Sequence, residues 1–229
     1  MKQAMPAPRV SNLKAIWTGT ASKRLHLQYF AGVLAIYIAG TIISAAMYPG
    51  GFSFTTVYTS YLGGTTQNPV GRYFYNIAEL LTGVLLVPHF IFMYTRLVPA
   101  CKALSFIACL FGIVGSLGFA AIGIYAQGVD YEGHRWTTIL AFGGFGVSAL
   151  LMLSAFIRKA ALKHAWPKWW HVAMIYGPVF GTIGVVMLCG EFNVAPAIFT
   201  DQFNEWVYLF VVMAWIIEIP LITPADEKK

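Results

Sequence analysis

Charged residues divide this chain into long apolar stretches. Counting Asp, Glu, Lys and Arg, residues 25–71, 80–95, 103–129, 136–157, 169–190 and 206–217 carry no charge. A helix that crosses a bilayer needs about 20 apolar residues. The runs predict helices near 27–48, 76–96, 101–127, 135–157, 170–190 and 203–222. The strict alternation of a membrane β-barrel is absent. In hydrocarbon a backbone must satisfy its own polar groups, which favours helices. The expected fold is an all-α integral membrane protein, a six-transmembrane-helix bundle. Residues 1–24 read as a basic tail, 25–223 as one membrane domain with an aromatic loop over 49–75, and 224–229 as a second tail.

Composition supports this class. The 229 residues are 58% hydrophobic and 10% charged, with a mean hydropathy of +0.67. Soluble domains carry roughly 25% charged residues. The first apolar run is too long for a signal-peptide core and lacks a cleavage site, so no secretory leader is expected.

Charge also orients the bundle. Lys2, Arg9, Lys14, Lys23 and Arg24 precede the first helix, Arg96 and Lys102 follow the second, Arg158, Lys159, Lys163 and Lys168 follow the fourth, and Lys228 and Lys229 end the chain. These alternate links hold 13 of the 15 basic residues. The positive-inside rule then places both termini in the cytoplasm, with the cell membrane as the expected location. The net charge of +6 follows from this asymmetry and reads as a basic rim facing anionic lipid. Nucleic acid is not an expected partner.

Local features refine the picture. Residues 10–24, with Ile16 and Trp17 among basic residues, suit an interfacial segment. The first helix has two rows of small residues, Ala31, Ala35 and Ala39, and Gly40 with Ser44, which permit close helix packing. It ends at the turn Tyr48-Pro49-Gly50-Gly51. The aromatic loop is too apolar to hang free and is expected to fold back as a short interfacial or re-entrant element. Pro88 is expected to kink the second helix and free the carbonyl of Val84. Gly112, Ser116 and Ala120 mark the third helix as tightly packed, and Gly177-Pro178 with Gly181 marks the fifth. Cys101 and Cys109 are eight residues apart on one predicted helix, roughly 12 Å along its axis, too far for a disulfide. With Cys189 they read as free thiols.

Tyr48-Pro-Gly, Tyr61-Leu-Gly-Gly and Asn68-Pro69 precede a helix with Asn76 and Gly83. His134 opens the fourth helix, and Glu205-Trp206 the sixth. Together these residues resemble the domain-of-unknown-function family 998 and the related FRAG/DRAM/SFK group of six-helix membrane proteins, over most of the chain. The resemblance implies six helices with cytoplasmic termini. It also implies roles in lipid organisation, lipid-kinase regulation or autophagy rather than a defined reaction. Where the resemblance implies an acid before the Leu-Gly step, this chain has Tyr61.

The candidate site is an outer polar cluster: Asn68, Arg72, Asn76, Glu79, Asp130, His134, Arg135 and Glu205, with Glu132 beside them. Ionisable groups at membrane depth are costly and usually paired, so Glu79 and Glu205 are expected to meet Arg72, His134 or Arg135. The cluster reads as a salt-bridged cap, as a headgroup or partner site, or as a hydrolytic site. Zinc hydrolysis would need three ligands and an open position, and no HxxxH or HExxH occurs. Neither a metal nor another cofactor is expected. Ser53, Thr55 and Ser60 lack a nucleophile elbow. On the inner side, His26, His89, His164 and His171 offer at most a haem pair, His89 with His171.

The expected function is a non-catalytic multi-pass membrane protein, a lipid-interacting scaffold or accessory subunit of a larger membrane complex. Its expected partners are membrane lipids and other membrane protein subunits. The first alternative is a membrane-lipid hydrolase using Glu79, Asp130, His134 and Glu205. The second is a haem-binding electron-transfer subunit.

Overall fold

A computed structural model describes residues 11–162, 169–170, 172–174, 176–178, 181 and 200–222. Among them, every regular element is helical. The order is α1 Asn12–Trp17, α2 Lys23–Ala46, α3 Thr59–Leu62, α4 Arg72–Leu97, α5 Lys102–Ile122, α6 Tyr131–Leu162 and α7 Asp201–Ile222. The described residues between 169 and 181 are helical too. Five helices, α2, α4, α5, α6 and α7, are long and apolar enough to cross a membrane. Most of the expected fifth span, His164, His171, Cys189, residues 1–10 of the first tail and the whole of the second lie outside the described residues.

The centre is built as the small residues predict. α5 packs between α4 and α6. A Cβ on Gly83 would strike the backbone at Ser116 and Ala120, and one on Gly144 would lie 2.6 Å from the Gly115 nitrogen. At both crossings backbone meets backbone, the geometry small residues permit between spanning helices. Phe90, Phe119, Phe145 and Trp215 fill the interior and are almost fully buried. Bulky apolar side chains such as Phe106, Leu110, Leu117, Ile139 and Leu150 point outward.

The two small-residue rows of α2 have different fates. The buried stripe is His26, Phe30, Val33, Tyr37, Gly40 and Ser44, spaced 4-3-4-3-4 as one helix face. Ala31, Ala35 and Ala39 lie on the exposed side. Gly40 gives α2 its close approach to Phe74 and Ala78 of α4.

Pro88 lies inside an unbroken α4. The expected orphan carbonyl is that of Val84, four residues back. The donor that arrives from α2, the Tyr29 hydroxyl, goes one residue further, to the Leu85 oxygen at 2.6 Å.

α1 is short and docked. Ser11 caps it by accepting from the Lys14 amide. Ile16 is buried, whereas Leu13 and Trp17 are exposed, one helical turn apart on the same face. Gly19, at φ +68°, rests on the Ile91 carbonyl of α4. The Thr95 hydroxyl donates to the Gly19 oxygen at 2.8 Å, and Arg96 Nη2 donates to the Ala21 oxygen at 2.8 Å. Cys101 and Cys109 are free thiols.

Candidate functional site

The link between α2 and α4 lies across one end of the bundle, and Asn68 is its knot. The Asn68 side chain is fully buried. Its Nδ2 donates to the Ser44 carbonyl at 3.1 Å, the Ser44 hydroxyl at 2.9 Å and the Leu62 carbonyl at 3.1 Å. Its Oδ1 accepts from the Gly71 amide at 3.1 Å. The Ser44 hydroxyl in turn donates to the Leu62 oxygen at 3.0 Å. One amide thus satisfies backbone groups at the end of α2, the end of α3 and the approach to α4. Asn76 adds a second tie, from Nδ2 to the Gly63 oxygen at 3.1 Å.

α7 holds the same link from the other side. Glu205 accepts from the Thr59 amide at 3.1 Å and the Thr59 hydroxyl at 2.9 Å. The carboxylate sits at the N-terminus of α3, where free amides and the helix dipole favour an acceptor. Trp206 Nε1 donates to the Val57 oxygen at 2.8 Å, and the Thr200 hydroxyl to the Thr55 oxygen at 2.9 Å. Phe52 and Phe54 meet the Trp206 ring edge-on at 5.4 and 5.1 Å. The Thr65 amide reaches the Gln127 oxygen in the α5–α6 turn at 3.0 Å. The expected fold-back is therefore a cap stitched to four parts of the bundle.

The expected charge pairing around Glu79 and Glu205 is replaced by neutral partners. Glu79 is buried and bonded to the Tyr75 hydroxyl, which lies 3.2 Å from the Tyr37 hydroxyl of α2. Arg72 turns to its neighbour, donating from Nη2 to the Tyr73 hydroxyl at 2.9 Å and stacking over that ring at 4.7 Å. Seven residues along a helix are roughly 10 Å, too far for Arg72 to reach Glu79 without leaving this pairing.

Asp130, His134 and Arg135 form a separate, more exposed group at the start of α6. Asp130 Oδ1 accepts from the Glu132 amide at 3.2 Å. His134 Nδ1 donates to the Tyr125 oxygen at 2.9 Å. Arg135 pairs with Glu132 at 3.7 Å and lies 5.8 Å from the Trp136 ring centre. Seven of the eight candidate residues thus fall into three groups: a knot at Asn68 and Asn76, carboxyls held by Tyr75 and Thr59, and a surface turn; Arg72 stands apart on Tyr73. Among the described residues, no three His, Cys, Asp or Glu side chains are placed to hold a metal.

The opposite end of the bundle is basic. Lys159 Nζ donates to the Arg96 oxygen at 2.6 Å, and Arg158 Nε to the Ala100 oxygen at 3.0 Å. Lys23 Nζ donates to the Leu221 oxygen at 2.7 Å. These cations answer carbonyls at and just beyond the C-termini of α4 and α7, where the helix dipole is negative.

A histidine pair lies just above this rim. His26 Nε2 and His89 Nδ1 are 3.2 Å apart, so one ring donates and the other accepts. Both are fully buried. Phe92 stacks on His26 with centroids 3.8 Å apart, and Phe30 lies 4.9 Å from His89. His26 is expected at the interface, yet it opens the buried 4-3-4-3-4 stripe of α2. That periodicity was the available signal for its burial.

No protein-family model, curated protein or solved structure matches this chain.

Proposed function

We propose that this chain is a non-catalytic membrane protein of six spanning helices with both termini in the cytoplasm, a lipid-interacting scaffold that serves as an accessory subunit in the cell membrane. One observation carries the non-catalytic reading. The buried polar side chains at the loop end are engaged in holding the chain's own backbone, Asn68 at the Ser44–Leu62 junction and Glu205 at Thr59. A reactive site needs groups turned toward a substrate, and these face inward. The exposed Ala31, Ala35 and Ala39 row of α2 supports the subunit part, because small residues let a second helix come close. The alternation of basic and acidic links supports the orientation. The resemblance to the family-998 and FRAG/DRAM/SFK group supports the lipid-linked role and the sixth span.

Extraction in mild detergent tests the subunit reading. The expected result is a stoichiometric membrane protein retained with this chain. A monodisperse monomer with no companion would reject it.

The hydrolase reading rests on His134 and the carboxyls. It requires lipid turnover by the pure protein that His134→Ala abolishes. The haem reading requires a Soret band. His89 meets His26 rather than standing open to a porphyrin, so a colourless preparation is expected.

A further inference from the structure

The surface between α2 and α7 carries a groove of about 190 Å³ near the loop end. We propose that it holds one hydrocarbon chain of a bilayer lipid. This deepens, and rests on, the lipid-interacting reading above. Tyr37 and Ala45 of α2 and Trp206 and Leu209 of α7 line its base. Ile42 and Phe210, both exposed, border its mouth. Phe52 and Phe54, edge-on against Trp206, stand at the loop end. Both helices are long and apolar enough to cross a membrane, so the mouth opens sideways into acyl chains.

The chemistry of the lining selects the occupant. None of the ten lining residues is charged. Three of them have polar side chains, and each is already engaged inside the protein. The Thr41 hydroxyl donates to the Tyr37 oxygen at 2.8 Å. The Tyr37 hydroxyl is paired with Tyr75 at 3.2 Å. Trp206 Nε1 is bonded to the Val57 oxygen. The groove therefore complements an uncharged occupant that forms no hydrogen bonds, and a buried headgroup would go unsatisfied there.

Its dimensions argue against a second copy of the chain. Tyr37 to Ala45 spans eight residues, about 12 Å of helix rise. A stable interface between proteins buries about 800 Å² on each partner, far more than so short a groove can supply.

The test is native mass spectrometry of the full chain, exchanged into mixed micelles of detergent and phosphatidylcholine. Wild type is expected to retain one phosphatidylcholine as detergent is stripped. Ala45→Phe, which fills the base, is expected to lower that retention at least fivefold. Leu150→Phe, on the exposed side of α6, is expected to leave it unchanged. If Ala45→Phe does not fold, Ala45→Val serves, with a twofold loss expected. A wild type that retains no lipid overturns the proposal, as does undiminished retention in the folded Ala45 variant. Disulfide-linked dimers of an Ile42→Cys variant would also overturn it, in favour of a second copy. These outcomes leave the scaffold reading standing. Turnover of the lipid by the wild-type preparation would instead reject the scaffold reading itself.

Discussion

At the loop end, the groups that close the bundle are an amide, hydroxyls, an indole and one carboxylate, and their partners are backbone atoms of an irregular link. At the basic end, the groups are lysine and arginine, and their partners are carbonyls at or near helix C-termini. The contrast follows from what each end must satisfy. A helix that stops presents several free carbonyls in a known direction, and a long cation reaches them while the dipole assists. A link folded over hydrophobic side chains presents amides and carbonyls in many directions, which short, doubly functional side chains serve better. The basic rim thus has a structural role alongside the topological one its charge predicts.

The sharpest way to break this comparison is at Asn68. Asn68→Ala takes its partner from the buried Gly71 amide, at about 1–3 kcal/mol, and removes one donor each from the Ser44 and Leu62 carbonyls, which keep the Met47 amide and the Ser44 hydroxyl, at about 0.5–1.5 kcal/mol apiece. The expected total of about 2–4 kcal/mol, allowing for partial relaxation, should appear as a large fall in melting temperature in nanodiscs. A loss below 1 kcal/mol would mean that the link is not knotted there. Lys159→Met comes next. It keeps the aliphatic stem but removes the cation from the Arg96 carbonyl, at an expected cost of about 1–2 kcal/mol, read by the same melts. A stabilised Lys159→Met protein would show that this lysine serves topology alone. Thr59→Val removes the 2.9 Å hydroxyl donor from Glu205 and is expected to cost about 1 kcal/mol; Thr59→Ser should restore most of it. Arg135→Gln is the smallest. Its pair with Glu132 is exposed, so the change is expected to stay within about 0.5 kcal/mol. A larger effect would join the α6 turn to the cap.

The helices were readable because length and apolarity alone define a bilayer crossing, and α5 because Gly112, Ser116 and Ala120 advertise close packing. The link was readable as a fold-back from its aromatics. Its wiring was hidden, because the partners of Asn68 and Trp206 are backbone atoms, which side-chain identity does not mark. The expected ion pairs failed for a directional reason. Arg72 and Glu79 share a helix end but not a level along it, and a tyrosine stands nearer to each. The His26–His89 contact joins residues 63 positions apart. Only the spacing of His26 with Phe30, Val33 and Tyr37 announced it. Ala31, Ala35 and Ala39 share small size, but the periodicity of the larger residues beside them sets which face of α2 is buried within the chain.

The stitches from α7 to the link have a consequence for biosynthesis. Thr59 waits for Glu205, 146 residues later, and Val57 waits for Trp206, 149 residues later. At about 5–20 residues per second, ribosomes take on the order of ten seconds to deliver the last helix after the link has emerged. During that interval the link lacks the fastenings that α7 and Thr200 supply. A chain truncated before residue 205 would carry that unfastened link permanently, so loss of the last helix should be recognised by membrane quality control as a defect near residue 59, far from the cut.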